Sequence, residues 1–132
     1  MSEENVEIVR RVYDAVARRD TEAVLDLYDP EIEWRPWHDL TGRGVYRGHE
    51  ELKMFYREWR EAWGDYDEKY EELIDAGDHV VVVATGRGHG QASGAEVAWT
   101  QYGTWTIRDG RIIRVAWFPT RGEALEAAGL SE

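Results

Sequence analysis

The stretch VAWTQYGTWTIRDGRIIRVAWF, Val97 to Phe118, decides the fold. Strand side chains alternate with period two, so Val97, Trp99, Gln101, Gly103, Trp105 and Ile107 share one face. Ala98, Thr100, Tyr102, Thr104 and Thr106 take the other. Arg-Asp-Gly at 108–110 is a short turn signal, so Arg111 to Phe118 returns as an antiparallel neighbour. Gln101 is the misfit in a row of indoles. A buried amide without partners costs on the order of 1 to 3 kcal/mol, so it must bond a tyrosine, a water or a ligand, or sit as a satisfied structural amide.

Working outward, two more strands are expected upstream, at about Tyr66 to Asp75 and His79 to His89, joined by the Ala-Gly-Asp turn. Before them the period changes to that of helices. Val6, Val9, Val12, Tyr13 and Val16 form the apolar stripe of a first helix after Ser2. Asp20 can cap a second short helix through Val24, Leu27 and Tyr28 that must stop near Asp29, which precedes Pro30. EIEWRP reads as a strand, and a short strand near Gly44 to Arg47 precedes a third helix starting at Gly48 or His49. On that helix Leu52, Phe55, Tyr56, Trp59 and Trp63 give a broad aromatic face, with Lys53, Arg57, Glu58, Arg60 and Glu61 in water. Thr120 and Glu123 form a capping box for a last helix, which Gly129 can end. This order predicts an α+β domain over residues 1–132, a curved sheet closed on one face by helices.

Composition narrows the chemistry. The 132 residues include no cysteine, which removes disulfides, thiolate nucleophiles and sulfur-ligated metals. Sixteen basic against 27 acidic residues give a formal charge of -11, which argues against nucleic acid and anionic membranes as partners but leaves room for a locally basic pocket. The N-terminal MSEENVEIVRR has no apolar signal core and no run approaches the roughly 18 apolar residues of a membrane span, so a cytoplasmic protein is expected. Four histidines lack H-x-H or H-E-x-x-H spacing, and neither metal nor cofactor is expected.

Through RRDTEAVLDLYDPEIEW, YRGHEELKMFY, GRGHGQASG, WTIRDGRIIRVAWF and EALEAAGL, the chain resembles the nuclear-transport-factor-2-like superfamily, particularly its SnoaL-like polyketide cyclase and ketosteroid isomerase branches. The resemblance implies a cone-shaped, curved antiparallel sheet packed on three helices, an internal pocket, and a homodimer through the outer sheet face. It does not fix a function, because this fold hosts isomerases, dehydratases, cyclases and noncatalytic binders. The positions matching the isomerase base and acid hold Pro36 and Gly103, and the position matching the cyclase acid holds Trp117. None of these transfers a proton. Tyr28 and Tyr56 match tyrosines that some isomerases link to an oxyanion-hole tyrosine, for which Tyr13 is the nearest residue after a one-residue gap.

Residue by residue, alternatives stand. His38 is placed to act as a general base near neutral pH, with Asp39 beside it, or both are ordinary loop residues. In VVVVATGRGHG, alignment turns Val81, Val83, Thr85, Arg87 and His89 toward the pocket, where Arg87 would meet an anion and His89 the mouth; a bulge among the glycines would reverse this. Trp34, Phe55, Trp99, Trp105 and Trp117 are core filler or the lining of a site for flat apolar molecules. The reading that follows is a pocket protein for a hydrophobic cyclic or aromatic compound with a carbonyl or hydroxyl group. Its chemistry would be cofactor-independent isomerisation, cyclisation or dehydration, with His38 as base and Tyr13 and Tyr56 as hydrogen-bond donors. The alternative is a noncatalytic binding or dimerisation module.

Overall fold

The computed structural model describes residues 2–37, 42–64, 66–90 and 93–131. The chain runs α1 (Ser2–Ala17), α2 (Thr21–Leu27), β1 (Tyr28–Arg35), β2 (Tyr46–Arg47), α3 (Gly48–Trp63), β3 (Asp67–Ala76), β4 (His79–His89), β5 (Glu96–Arg108), β6 (Arg111–Phe118) and α4 (Arg121–Ala127). Local chemistry sets most boundaries. Asp20 accepts the Ala23 amide at 3.1 Å to start α2, and Thr120 accepts the Glu123 amide at 3.3 Å to start α4. Asp109 and Gly110 both have positive φ, the backbone of a two-residue hairpin turn whose twist suits β5 and β6.

The six strands form one open, curved sheet in the order β2-β1-β6-β5-β4-β3. All neighbours are antiparallel except β1 and β6, which run parallel with a register shift between Tyr28 and Glu33, where Pro30 lies. Further register shifts at Tyr70/Glu72 and Thr106/Ile107 bend the sheet. Its concave face carries α1, α2 and α3. Val9 and Val12 from α1, Leu25 from α2, and Leu52, Phe55 and Trp59 from α3 join Val80, Val82, Trp105 and Trp117 in one buried cluster. Helix α4 sits on the opposite face, where Ala124, Leu125 and Ala128 cover Val81.

That outer helix settles the phase of β4, and it is the reverse of the expectation. Val80 pairs with Trp105, Ala84 with Gln101 and Gly86 with Trp99, so Val80, Val82, Ala84, Gly86 and Gly88 face the concave side. Val81, Val83, Thr85, Arg87 and His89 face outward, with no register shift in the β4–β5 ladder. Glycine is needed on the inside because the indoles lie there. A Cβ on Gly86 would come within 2.3 Å of the Trp99 ring, and one on Gly103 within 2.8 Å of both Trp105 and Trp117.

Candidate functional site

Between the helices and the concave face lies a hollow of about 60 Å³. Its walls are mostly aromatic: Trp34 from β1, Phe55, Tyr56 and Trp59 from α3, Trp105 from β5 and Trp117 from β6. Trp34, Trp105 and Trp117 are only 6%, 1% and 5% exposed. The rings meet edge to face, Trp105 and Trp117 at 88° and Trp34 and Trp117 at 66°. Their indole N–H groups are buried without a hydrogen-bond acceptor, as are those of Trp63 and Trp99.

The polar groups of the hollow form two sets. On the helical side the Tyr28 and Tyr56 hydroxyls are 3.3 Å apart, one donating to the other. Tyr13 also lines the hollow, stacked on Trp105 with centroids 5.8 Å apart, but forms no hydrogen bond with that pair. Burial, and then the negative charge of Glu68, raises the Tyr13 pKa; burial raises Tyr28 and Tyr56 as well. All three phenols therefore stay protonated and able to donate at neutral pH.

On the sheet side stands Glu68, which the sequence reading missed. Its strand turns Glu68 and Tyr70 toward the concave face, with Tyr66 just before it in the same phase, and Glu68 pairs across the ladder with Gly86. Gln101 Nε2 donates to Glu68 Oε1 at 3.3 Å, which answers the question of the amide's partner. Burial raises the Glu68 carboxyl to about 7, against the pull of the Gln101 bond and a weaker one from the Trp99 indole N–H, which falls short of a formed hydrogen bond. A carboxyl poised near neutrality, supported by one amide and facing three protonated phenols, can both take and return a proton.

The expected residues divide clearly. Tyr13, Tyr28, Trp34, Phe55, Tyr56, Gln101, Trp105 and Trp117 line the hollow together. Pro36 lines it too. Trp99 lies at the rim, packed against Trp59, Trp63 and Tyr66. Arg87 does not reach the hollow: its side chain is 77% exposed and lies 4.0 Å from Glu96. It borders an open groove of about 880 Å³ that touches the hollow at Val16, Tyr66 and Glu68. His89 is exposed beyond it on the outward side of β4. His38 and Asp39 lie outside the described residues. Among the described residues no His, Asp or Glu cluster is arranged to hold a metal, and no helix is long and apolar enough to cross a membrane.

An open curved sheet wrapped on three helices around an aromatic hollow defines a cone-shaped α+β pocket fold. Residues 9–115 match the family profile of the SnoaL-like domain, and the chain belongs to that family. An NTF2-like protein of unknown function from Burkholderia pseudomallei superposes with a TM-score of 0.79 at 25% identity, covering 93% of this chain and 95% of that one. A second, from Burkholderia thailandensis, gives 0.78 at 29% identity over 86% and 88%. TerC, co-crystallised with polyporic acid, gives 0.77 at 26% identity over 96% and 98%. No curated protein matches the chain significantly by sequence.

Proposed function

We propose that this protein binds a hydrophobic ring compound through its carbonyl or hydroxyl oxygen and transfers a proton on it without a cofactor. The observation that carries the reading is the Glu68 carboxyl, held by Gln101, lining the same hollow as the hydrogen-bonded Tyr28–Tyr56 pair. In this reading Glu68 takes the role the sequence assigned to His38. Its carboxylate removes a proton from the carbon next to a ring carbonyl. The electron pair moves to the carbonyl oxygen, where a phenol donor stabilises the developing charge in a site that excludes water. Glu68 then returns the proton to a second carbon, and the isomer leaves with all atoms conserved. The relative co-crystallised with polyporic acid supports a small-molecule guest.

A second reading is favoured by the size of the hollow. About 60 Å³ is far below the roughly 300 Å³ at which ligand sites begin, as in a noncatalytic module filled by its own tryptophans. One experiment separates the two. The protein is titrated with 2-naphthol and 2-tetralone while tryptophan fluorescence is followed, and exchange of the tetralone α-protons in D2O is followed by NMR. The proton-transfer reading expects quenching, and exchange above the buffer rate with an inflection near pH 7 that Glu68→Gln removes. Binding without exchange leaves a pocket protein with no such chemistry. No binding at millimolar concentration favours the module.

A further inference from the structure

Val16, Tyr56 and Tyr66 line both the hollow and a neighbouring vestibule of about 250 Å³ between the end of α1, the start of α2 and α3. The hollow alone is far smaller than ordinary ligand sites, so a guest of ordinary size has to extend past these shared walls into the vestibule. The vestibule differs from the rest of the molecule in charge. The chain carries a formal charge of -11, yet Arg19, Lys53, Arg57 and Arg60 line this recess against Asp20. Lys53, Arg57 and Arg60 occupy successive turns of α3, beside its aromatic stripe. Asp20 already serves α2, accepting the Ala23 amide.

Two of the four cations have acidic neighbours: Arg19 lies 3.7 Å from Asp67 and Lys53 3.4 Å from Glu50. Arg57 and Arg60 have no carboxylate within ion-pair distance among the described residues. Charge from the recess reaches the inner rim: burial, and then Glu68, raises the Tyr66 hydroxyl to about 12, while Arg60 and Arg19 pull against that rise. Concave sites lined by one sign of charge concentrate ions of the other sign, and planar guanidinium groups match carboxylate and phosphate oxygens in pairs.

We propose that the natural ligand is an amphiphilic anion, whose ring enters the aromatic hollow while its carboxylate or phosphate is held in the vestibule by Arg57 and Arg60. The inference rests on the small-molecule reading of the hollow. It also gives the pocket a direction: the anionic end stays at the helical rim, and the ring points toward Glu68 and the tyrosines.

Three naphthalenes of similar size test it by calorimetry at low and high salt: neutral 2-naphthol, 6-hydroxy-2-naphthoate and 2-naphthyl phosphate. At low salt one or both anions should bind about tenfold tighter than the naphthol, the gain expected from a charged hydrogen-bonded contact. The advantage should shrink at high salt, and the preferred anion identifies the group. Arg57→Gln/Arg60→Gln alters only exposed side chains and should remove the anion advantage while leaving naphthol affinity unchanged. Equal binding of all three compounds, or an anion advantage that survives the double variant, overturns this inference and leaves the pocket reading standing. Failure of all three to bind wild type overturns both.

Discussion

Glu33 and Glu68 lie on the same sheet and face opposite ways. Glu33, on the outer side of β1, accepts from Arg35 Nε at 2.7 Å and Arg47 at 2.9 Å, with Arg114 Nε 3.2 Å away. The Arg35 hydrogen bond, with the charges of all three arginines, holds its pKa below the usual carboxylate value. Glu68, on the concave side of β3, has one amide donor at 3.3 Å and, among the described residues, no cation in ion-pair distance, and burial lifts it to about 7. The same side chain is thus a strut charged at neutral pH on one face and a group titrating near neutrality on the other. Partners and burial assign the role, and residue type does not.

The concave face owes its character to rings pressed onto glycine, and this is where the contrast breaks most easily. Gly103→Ala places a Cβ 2.8 Å from both Trp105 and Trp117, two buried rings with little room to retreat. Urea unfolding should show a loss of about 3 kcal/mol, in the upper range for overpacking a core. A loss under about 0.5 kcal/mol, the usual size of a surface change, would mean that the indoles move freely and the hollow has no fixed shape.

Glu68→Gln comes next, and its effect depends on pH. The folded-state pKa of Glu68 is raised, so between about pH 4.5 and 7 the folded chain holds a proton that the unfolded chain has released. Its contribution is fully present below the unfolded value and is lost as pH rises through 7. Wild type should therefore lose on the order of 2 kcal/mol relative to Glu68→Gln between pH 5 and 8, allowing for solvent at the rim. Parallel stability curves for the two proteins across that range would show Glu68 to be an ordinary surface acid.

Much of this architecture was legible because its signals are local. Asp20, Thr120 and the Asp109–Gly110 turn each act within four residues, and the aromatic stripe of α3 declares its buried face by spacing alone. The hollow's lining was legible for the same reason, since Trp34, Phe55, Trp105, Trp117 and Gln101 follow the periods of their own elements. The phase of β4 was not. Val80, Val81 and Val82 are all fully buried, because α4 covers the outer face that most such sheets leave wet, and an apolar run buried on both sides has no alternation to read. Glu68 hid among the acids of DYDEKYEEL. The available clue was period two, which sets it between Tyr66 and Tyr70 on one face, but only the pairing of β3 with β4 and the reach of Gln101 from β5 show that this face is the inner one.

The smallest effect sharpens the comparison from the other side. Glu33 has its pKa depressed, so its stabilising contribution exists above about pH 4.5 and fades as pH falls through its lower folded value. Its partners Arg35, Arg47 and Arg114 are 43%, 65% and 51% exposed, so water and salt screen each pair. Glu33→Gln should cost less than about 1 kcal/mol at pH 7, and part of that cost comes from three arginines left to repel one another. The cost should shrink in high salt and fade as pH falls through the lowered folded value, below which wild type is itself protonated, while the slope between pH 5 and 8 stays as in wild type. If Glu33→Gln also moves the titration near pH 7, charge on the outer face reaches Glu68 through the sheet. The two glutamates would then form one coupled system, and the inner carboxyl would owe part of its raised pKa to the opposite face.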